Sequence, residues 1–454
     1  MKLLSIDVGT SSVKIALMDG DCTILDSAKA RYQIRTTNVD WVELDADAIL
    51  AAIVEAIHKL PGARDAELVA FDNFSPSVML MDENGDAVHS ILTHLDRRSK
   101  RQTQEILSDF GKERFQAITG IQPFTGGASI TSFLWLKANR PKEWAACRRI
   151  GHINTYVYKQ LTGKWAIDPV NASQTGLYET ITNAGWSKEI CGAFSIPEGL
   201  LPEVLPAGTI AGGLTKRFAE LTGLREGVPV ALGTNDAASA QIGAGNGLAG
   251  DILNISGSSD MVSILTDKPI VHDKYYLRGF CLPGLWQIYV TTAGGFAVDW
   301  FRAQFYRDLS GRQFFDEEFE GAAKLCTEGR GGASGDSSAD SDGGGRALSV
   351  GFTPYLAGDR QSLTPKQASF TGLTLDTTRR QMLAAVLLAM HEPMRDVMEI
   401  CEASIKLRGK IKLTGGMLSP AFVDLKRRLF PAYEVEVIDD CPLIGNARLA
   451  LKNL

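Results

Sequence analysis

Two segments far apart in the chain repeat one pattern: LLSIDVGTSSVKIALMD (3–19) and DILNISGSSDMVSILTD (251–267). Each reads as an apolar strand, a turn of Gly, Ser and Thr, and a second apolar strand. Backbone N–H groups in such turns can form an anion-binding nest, and the hydroxyls add donors. An ordinary β-hairpin is the competing reading of either turn alone, since Gly and Ser are common there. Two such turns, one near the start of each half, favour a phosphate clamp.

Strand-like runs recur along the chain: LVAF (68–71), VMLMD (78–82), VPVAL (228–232), LWQIYVTT (285–292), KIKLT (410–414) and YEVEVID (433–439). Helix-like segments lie between them, such as DAILAAIVEAIHKL (47–60) and RRQMLAAVLLAMHEPMRDVMEIC (379–401), where Pro393 should kink or break the helix or begin a new one. The alternation gives an α/β class. A chain of 454 residues is too long for one ordinary core, so two large domains are expected. GAGNGLAG (243–250) is the best seam, giving domains 1–244 and 250–454. Its formal GxGxxG at Gly245, Gly247 and Gly250 has no strand before it, as a dinucleotide site requires. The Gly, Ser and Asp run at 328–346 should be a flexible surface loop.

The net charge is −6 with no basic stripe, which argues against a nucleic-acid binder. The seven cysteines (Cys22, Cys147, Cys191, Cys281, Cys326, Cys401, Cys441) are scattered, with no CxxC pair. They read as reduced thiols of a cytoplasmic protein rather than a disulfide framework or zinc site. The apolar run after MKLLSID is too short for a signal peptide, and MLAAVLLAM (382–390) is too short to span a bilayer, so no membrane association is expected. There is no HExxH among the six histidines, which leaves a Mg²⁺ held by carboxylates and phosphates as the metal to consider.

LGTNDAASAQIGAG (232–245) reads as a strand end giving way to a helix. Asp236 could cap that helix, since its oxygens accept from the free N–H groups of the first turn, or it could take a proton. The residues alone leave both roles open.

The order of motifs decides further. DVGTSSVKIALMD (7–19), LDRRS (95–99), INTYVYKQLTGKWAIDPVNASQTGLY (153–178), GTNDAASAQIG (233–243), NISGSSD (254–260), TAGGFAVDWF (292–301), PYLAGDR (354–360) and LTGGMLSP (413–420) resemble, nearly end to end, the motifs of the FGGY family of carbohydrate kinases. The resemblance implies two ribonuclease-H-like domains of the actin-like ATPase superfamily with a cleft between them. It implies ATP on the C-terminal side, a sugar on the N-terminal side, and transfer of the γ-phosphoryl group to a hydroxyl.

Carried over residue by residue, the resemblance makes Asp236 the general base, with helix capping as its support. Asp7 and Asp236 would face Mg²⁺. Gly9, Thr10, Ser11 and Lys14 would hold phosphates, Gly257 and Ser258 would clamp from the other domain, and Gly295 would let backbone approach the nucleotide. Gly415, Gly416 and Ser419 would line the adenosine pocket. On the sugar side stand Asn73, Ser75, His94, Asp96 and Arg97. Here the chain departs from the pattern: NFSP (73–76) replaces a Gln-Met-His-Gly stretch, His94-Leu95-Asp96 replaces Trp-Asn-Asp, and Asp359-Arg360 replaces Glu-Arg. The final IGNARLALKNL (444–454) resembles the family's last Gly-Ala-Ala helix, with Asn446 in place of one small residue.

The motif style is nearest to xylulokinase-like enzymes, which implies a pentulose such as D-xylulose phosphorylated at a terminal hydroxyl. Gluconate, glycerol or polyol and seven-carbon ketose kinases stay open, as does a sugar-binding regulator without turnover. An actin-like or chaperone-type ATPase has no reason for LDRRS or the long 153–178 signature. Relatives of this kind are often homodimers, and no interface signal stands out here.

Overall fold

The computed structural model describes residues 1–38, 40–328, 348–356 and 366–453. The expected loop at 328–346 begins at Glu328, the end of a helix, and otherwise lies outside the described residues, as do Asp359 and Arg360. The chain forms two compact units, one of residues 1–248, 265–288 and 440–454, the other of 249–264 and 289–439. The first unit therefore takes in a short segment and the last helix from beyond residue 250.

In the first unit, Leu3–Val8, Ser12–Met18 and Ile24–Arg31 form an antiparallel meander. Leu68–Asn73 joins Leu3–Val8 in parallel on its other side, followed by Pro229–Val230. The inner strands are buried on both faces, so they read as continuous apolar runs rather than as alternation. VPVAL yields only the short strand Pro229–Val230. Past Gly233 the backbone presses on Phe71, where a Cβ would come within 2.4 Å of the ring, and the chain rejoins the sheet as Thr234–Asn235 beside Asp72 and Asn73.

Helix Ala46–His58 covers this sheet with Ile49, Ala52, Ile53, Ala56 and Ile57, the spacing of a single apolar face. Asp45 caps it by accepting from the Asp47 amide at 3.0 Å. A second sheet in the same unit runs, in spatial order, Arg35–Asn38, Trp41–Leu44, Ile91–Thr93, Ser77–Met81 and Arg149–Gly151.

The second unit repeats the meander-plus-parallel pattern. Its sheet runs Trp286–Ala293, Ser259–Thr266, Ile252–Ser256, Lys410–Thr414 and Glu434–Val437. Ile252–Ser256 is antiparallel to Ser259–Thr266 and parallel to Lys410–Thr414. The repeat seen in the sequence is thus a repeat of topology.

Helix Arg379–Glu402 runs through Pro393 without a break. One missing N–H is tolerated because residues on both sides, Met390 and His391 before and Met394, Val397 and Met398 after, are buried and hold the helix in place.

Candidate active site

In the first unit the strand ends carry acidic groups. Asp7 is the penultimate residue of Leu3–Val8, and its register partners are Asp72 on one side and Lys14 on the other. Lys14, on strand Ser12–Met18, forms an ion pair with Asp440 at the start of the last helix. Asp72 is fully buried, and its Oδ2 accepts from Asn446 Nδ2 at 2.8 Å. Burial, and then the neighbouring carboxylates of Asp7 and Asp236, push the Asp72 carboxyl well above the usual range.

Asp236 opens helix Asp236–Gly243 and keeps part of its surface exposed. The cap is Asn235, not Asp236: Asn235 Oδ1 accepts from the amides of Ala237 at 3.0 Å and Ala238 at 3.3 Å. The capping role expected of Asp236 is corrected accordingly. Asn235 has the extended backbone a cap needs, while Asp236 already lies in the first turn. Asp236 Oδ1 accepts from the Ala237 amide at 2.7 Å. Its pKa is raised to about 6, first by burial and then by the charge of Asp7, against the Ala237 bond and the Arg278 charge. The carboxylate is therefore ionised at neutral pH, yet closer to that pH than an ordinary aspartate.

The Gly9–Ser11 turn is pinned from behind. Tyr32 donates its amide to the Ser11 carbonyl at 3.2 Å and its hydroxyl to the Gly9 carbonyl. The Gly9 amide is spent on the Ser12 carbonyl at 3.0 Å. Among the described residues, the Thr10 and Ser11 amides have no such backbone partner.

Asn73 and Ser75 stand beside this cluster. Ser75 Oγ accepts from Asn235 Nδ2 at 2.9 Å and donates to Gln174. Asn73 Nδ2 donates to the Phe74 carbonyl at 2.8 Å and to Asn171 at 3.3 Å. The His94 ring packs edge-on against Phe74, and the Arg97 guanidinium donates to the His94 and Asp96 carbonyls. Asp96 is turned inward. It accepts from the Val42 amide at 2.8 Å and pairs with Arg98, which stacks on Trp41 and Trp135.

Asp168, from the long signature, is buried and caps helix Pro169–Thr175 while accepting from Thr234 Oγ1 at 2.6 Å. It thereby fixes the chain two residues before Asp236. Asp72, Asn235, Asp168 and Asn446 were not among the expected site residues. The FDN run at a strand end was the one available signal for Asp72.

In the second unit, Gly257 and Ser258 form the two-residue turn between Ile252–Ser256 and Ser259–Thr266. The first two amides of helix Gly295–Phe305 donate to this turn, Gly295 to the Gly257 carbonyl at 2.9 Å and Phe296 to the Ser258 carbonyl at 3.1 Å. The Met417 amide donates to the Ser256 carbonyl at 3.0 Å. Gly415 has φ +120°, and a Cβ there would come within 2.2 Å of the Ser256 carbonyl. Gly257, Ser258, Gly295, Gly415 and Gly416 are thus brought together around one turn. Ser419 caps helix Pro420–Leu429 by accepting from the Phe422 amide. Behind the turn, buried Lys426 pairs with Asp260 at 2.9 Å.

Among the described residues no group of three or more His, Cys, Asp or Glu could hold a metal ion. The partly exposed carboxylates of Asp7 and Asp236 are hard oxygen donors, which fits a Mg²⁺ that takes its remaining ligands from phosphates and water. No helix among the described residues is long and apolar enough to cross a membrane.

The architecture is that of the two-domain kinases of the actin-like ATPase fold. The whole chain overlays 89% of the ligand-bound xylulose kinase from Lactobacillus acidophilus, with a TM-score of 0.86 at 20% identity. Residues 2–243 match the N-terminal domain of the FGGY family of carbohydrate kinases. This chain belongs to that family. It is 26% identical to the xylulose kinase of Lactococcus lactis over 99% of its own length and 87% of the relative's. It is 24% identical to the gluconokinase of Bacillus licheniformis over 85% of its length and 74% of the relative's.

Proposed function

We propose that this carbohydrate kinase transfers the γ-phosphoryl group of ATP to a terminal hydroxyl of a ketose, a pentulose of the D-xylulose type. The sugar binds to residues 1–244 and ATP to residues 250–454. The observation that carries the reading is Asp236: a partly exposed carboxylate with a pKa near 6, joined through Asn235 to Ser75 on the sugar side.

Phosphoryl transfer needs in-line positioning, neutralised phosphate charge and a sink for the hydroxyl proton. The sugar oxygen forms a bond to the γ-phosphorus as the bond to the ADP oxygen breaks, and the hydroxyl proton passes to an Asp236 oxygen. Asn73, Ser75, His94 and Arg97 orient the sugar. The Thr10 and Ser11 amides and the Gly257–Ser258 turn receive phosphate oxygens. Asp7 and Asp236 would hold a Mg²⁺, which would neutralise charge on the phosphates. The xylulose kinase relatives support the pentulose reading, and the gluconokinase relatives favour gluconate as the second.

The test is a coupled ADP-release assay with Mg·ATP against D-xylulose, D- and L-ribulose, L-xylulose, L-fuculose, sedoheptulose, gluconate, glycerol and erythritol. Strong turnover on a pentulose is expected. Turnover on gluconate alone moves the assignment to the second reading. Silence across the panel with sugar-dependent thermal shifts overturns both in favour of a ligand-binding regulator.

A further inference from the structure

The last helix, Cys441–Leu451, packs against helix Asp236–Gly243 at very close range. A Cβ on Gly445 would fall 1.8 Å from the Ser239 carbonyl, and one on Gly243 would fall 1.8 Å from the Cys441 carbonyl. Such a contact leaves no room for a side chain at the crossing itself. The next residue, Asn446, carries a full amide group into the interior and is 2% exposed.

Every polar direction of that amide is used. Its nitrogen donates to the Ile6 carbonyl at 3.2 Å and to Asp72 Oδ2 at 2.8 Å. Its oxygen accepts from Ser239 Oγ at 2.7 Å. Ile6 is the residue before Asp7, and Asp72 is the register partner of Asp7. Ser239 lies three residues after Asp236, on the same helix face. One buried side chain thus touches the strand that carries Asp7, the neighbour of Asp7, and the helix that carries Asp236. A buried amide bonded on all sides has one low-energy orientation, because turning it would leave several polar groups unpaired.

We infer that Asn446 is a positioning residue for phosphoryl transfer, holding the Asp7 strand and the Asp236 helix in the one relative placement in which both carboxylates face the reacting groups. The inference rests on the kinase reading above. Asn446 touches neither substrate and acts through Asp72, Ile6 and Ser239. Displacing a reacting group by about 1 Å costs on the order of 100-fold in rate, so loss of this link should appear in turnover before it appears in binding.

The experiment compares wild type, Asn446→Ala, Ser239→Ala and the double variant. Each is measured for kcat, for KM of sugar and ATP, for melting temperature, and for the shift in melting temperature produced by Mg·ADP. Asn446→Ala should lower kcat by about 10- to 100-fold with both KM values within about threefold. Ser239→Ala should lower kcat less and melt somewhat lower, because it leaves the buried Asn446 oxygen without its donor. The double variant should be no slower than Asn446→Ala alone, because both remove one link.

An unchanged kcat in Asn446→Ala, a raised KM with unchanged kcat, or additive losses in the double variant overturns the inference while leaving the kinase reading intact. If Asn446→Ala does not fold, Ser239→Ala decides: slowed turnover in the folded variant with both KM values unchanged supports the link, and normal turnover overturns it. If wild type turns over no sugar, the kinase reading fails, and the Mg·ADP shift decides instead. A smaller shift in Asn446→Ala then supports the positioning of Asp7, and an equal shift overturns it.

Discussion

Asp7 and Asp72 are register partners on neighbouring parallel strands, and burial pushes the carboxyls of both above the usual range. The Asp7 charge is the second cause, after burial, of the raised Asp236 pKa.

Replacing Asp236 by Asn keeps the shape and removes the proton acceptor. We expect kcat to fall by about 10²- to 10⁴-fold, with sugar and nucleotide affinities within about threefold of wild type. Steady-state kinetics with isothermal titration calorimetry checks both halves, and near-normal turnover would remove Asp236 from the role of base.

The pH profile follows from the same group. A base must be unprotonated, so kcat/KM should rise with pH to about 6 and level off above 7. The stability effect has the opposite sense. The folded pKa lies above the usual 3.8, so this group's stabilising contribution is complete below about 4 and is lost as pH rises through about 6. Asp236→Asn should therefore melt higher than wild type at pH 8, with the gain shrinking by pH 5. A melting temperature that falls equally at both pH values would contradict this.

Gly415 takes a backbone conformation that side chains avoid, with the Ser256 carbonyl where a Cβ would sit. Gly415→Ala should cost about 1–3 kcal/mol of strain and weaken ADP binding, read by thermal melts and calorimetric titration. Gly416, which has open space at its Cβ position, should accept Ala with little loss of stability.

Lys426 and Asp260 form a buried ion pair, with Asn254 and Ser256 also bonded to Asp260. Lys426→Met leaves a buried carboxylate without its counter-charge and should cost about 3–5 kcal/mol in urea unfolding. Adding Asp260→Asn should recover much of that loss. If the double variant is no more stable than the single, the pair does not act as a unit.

Local order was legible in the sequence. Strands Leu3–Val8, Ile252–Ser256 and Lys410–Thr414 follow from apolar runs between turn residues, and the Ala46–His58 helix follows from its spacing. Asn235 and Asp236 were harder, since adjacent Asn and Asp are both good caps and one residue of offset decides which becomes the cap and which enters the helix. Asn446 stood out only as a replacement for a small residue, and its role could not be read. Its partners Ile6, Asp72 and Ser239 lie hundreds of residues away, and only the folded chain brings them to it. Asp96 reads as a hydroxyl acceptor from sequence because the Val42 amide it accepts from, and the Trp41 and Trp135 rings that hold its partner Arg98, come from separate elements.

The return of residues 440–454 to the first unit has a consequence for synthesis. A ribosome delivers the strands carrying Asp7 and Asp72 early, but the helix that packs on them emerges only after the entire second unit has been made. Until then Ser5, Asp72 and Ser239 lack the Leu443 and Asn446 groups that satisfy them. The nascent first unit must wait with an open polar seam until the second unit has been made.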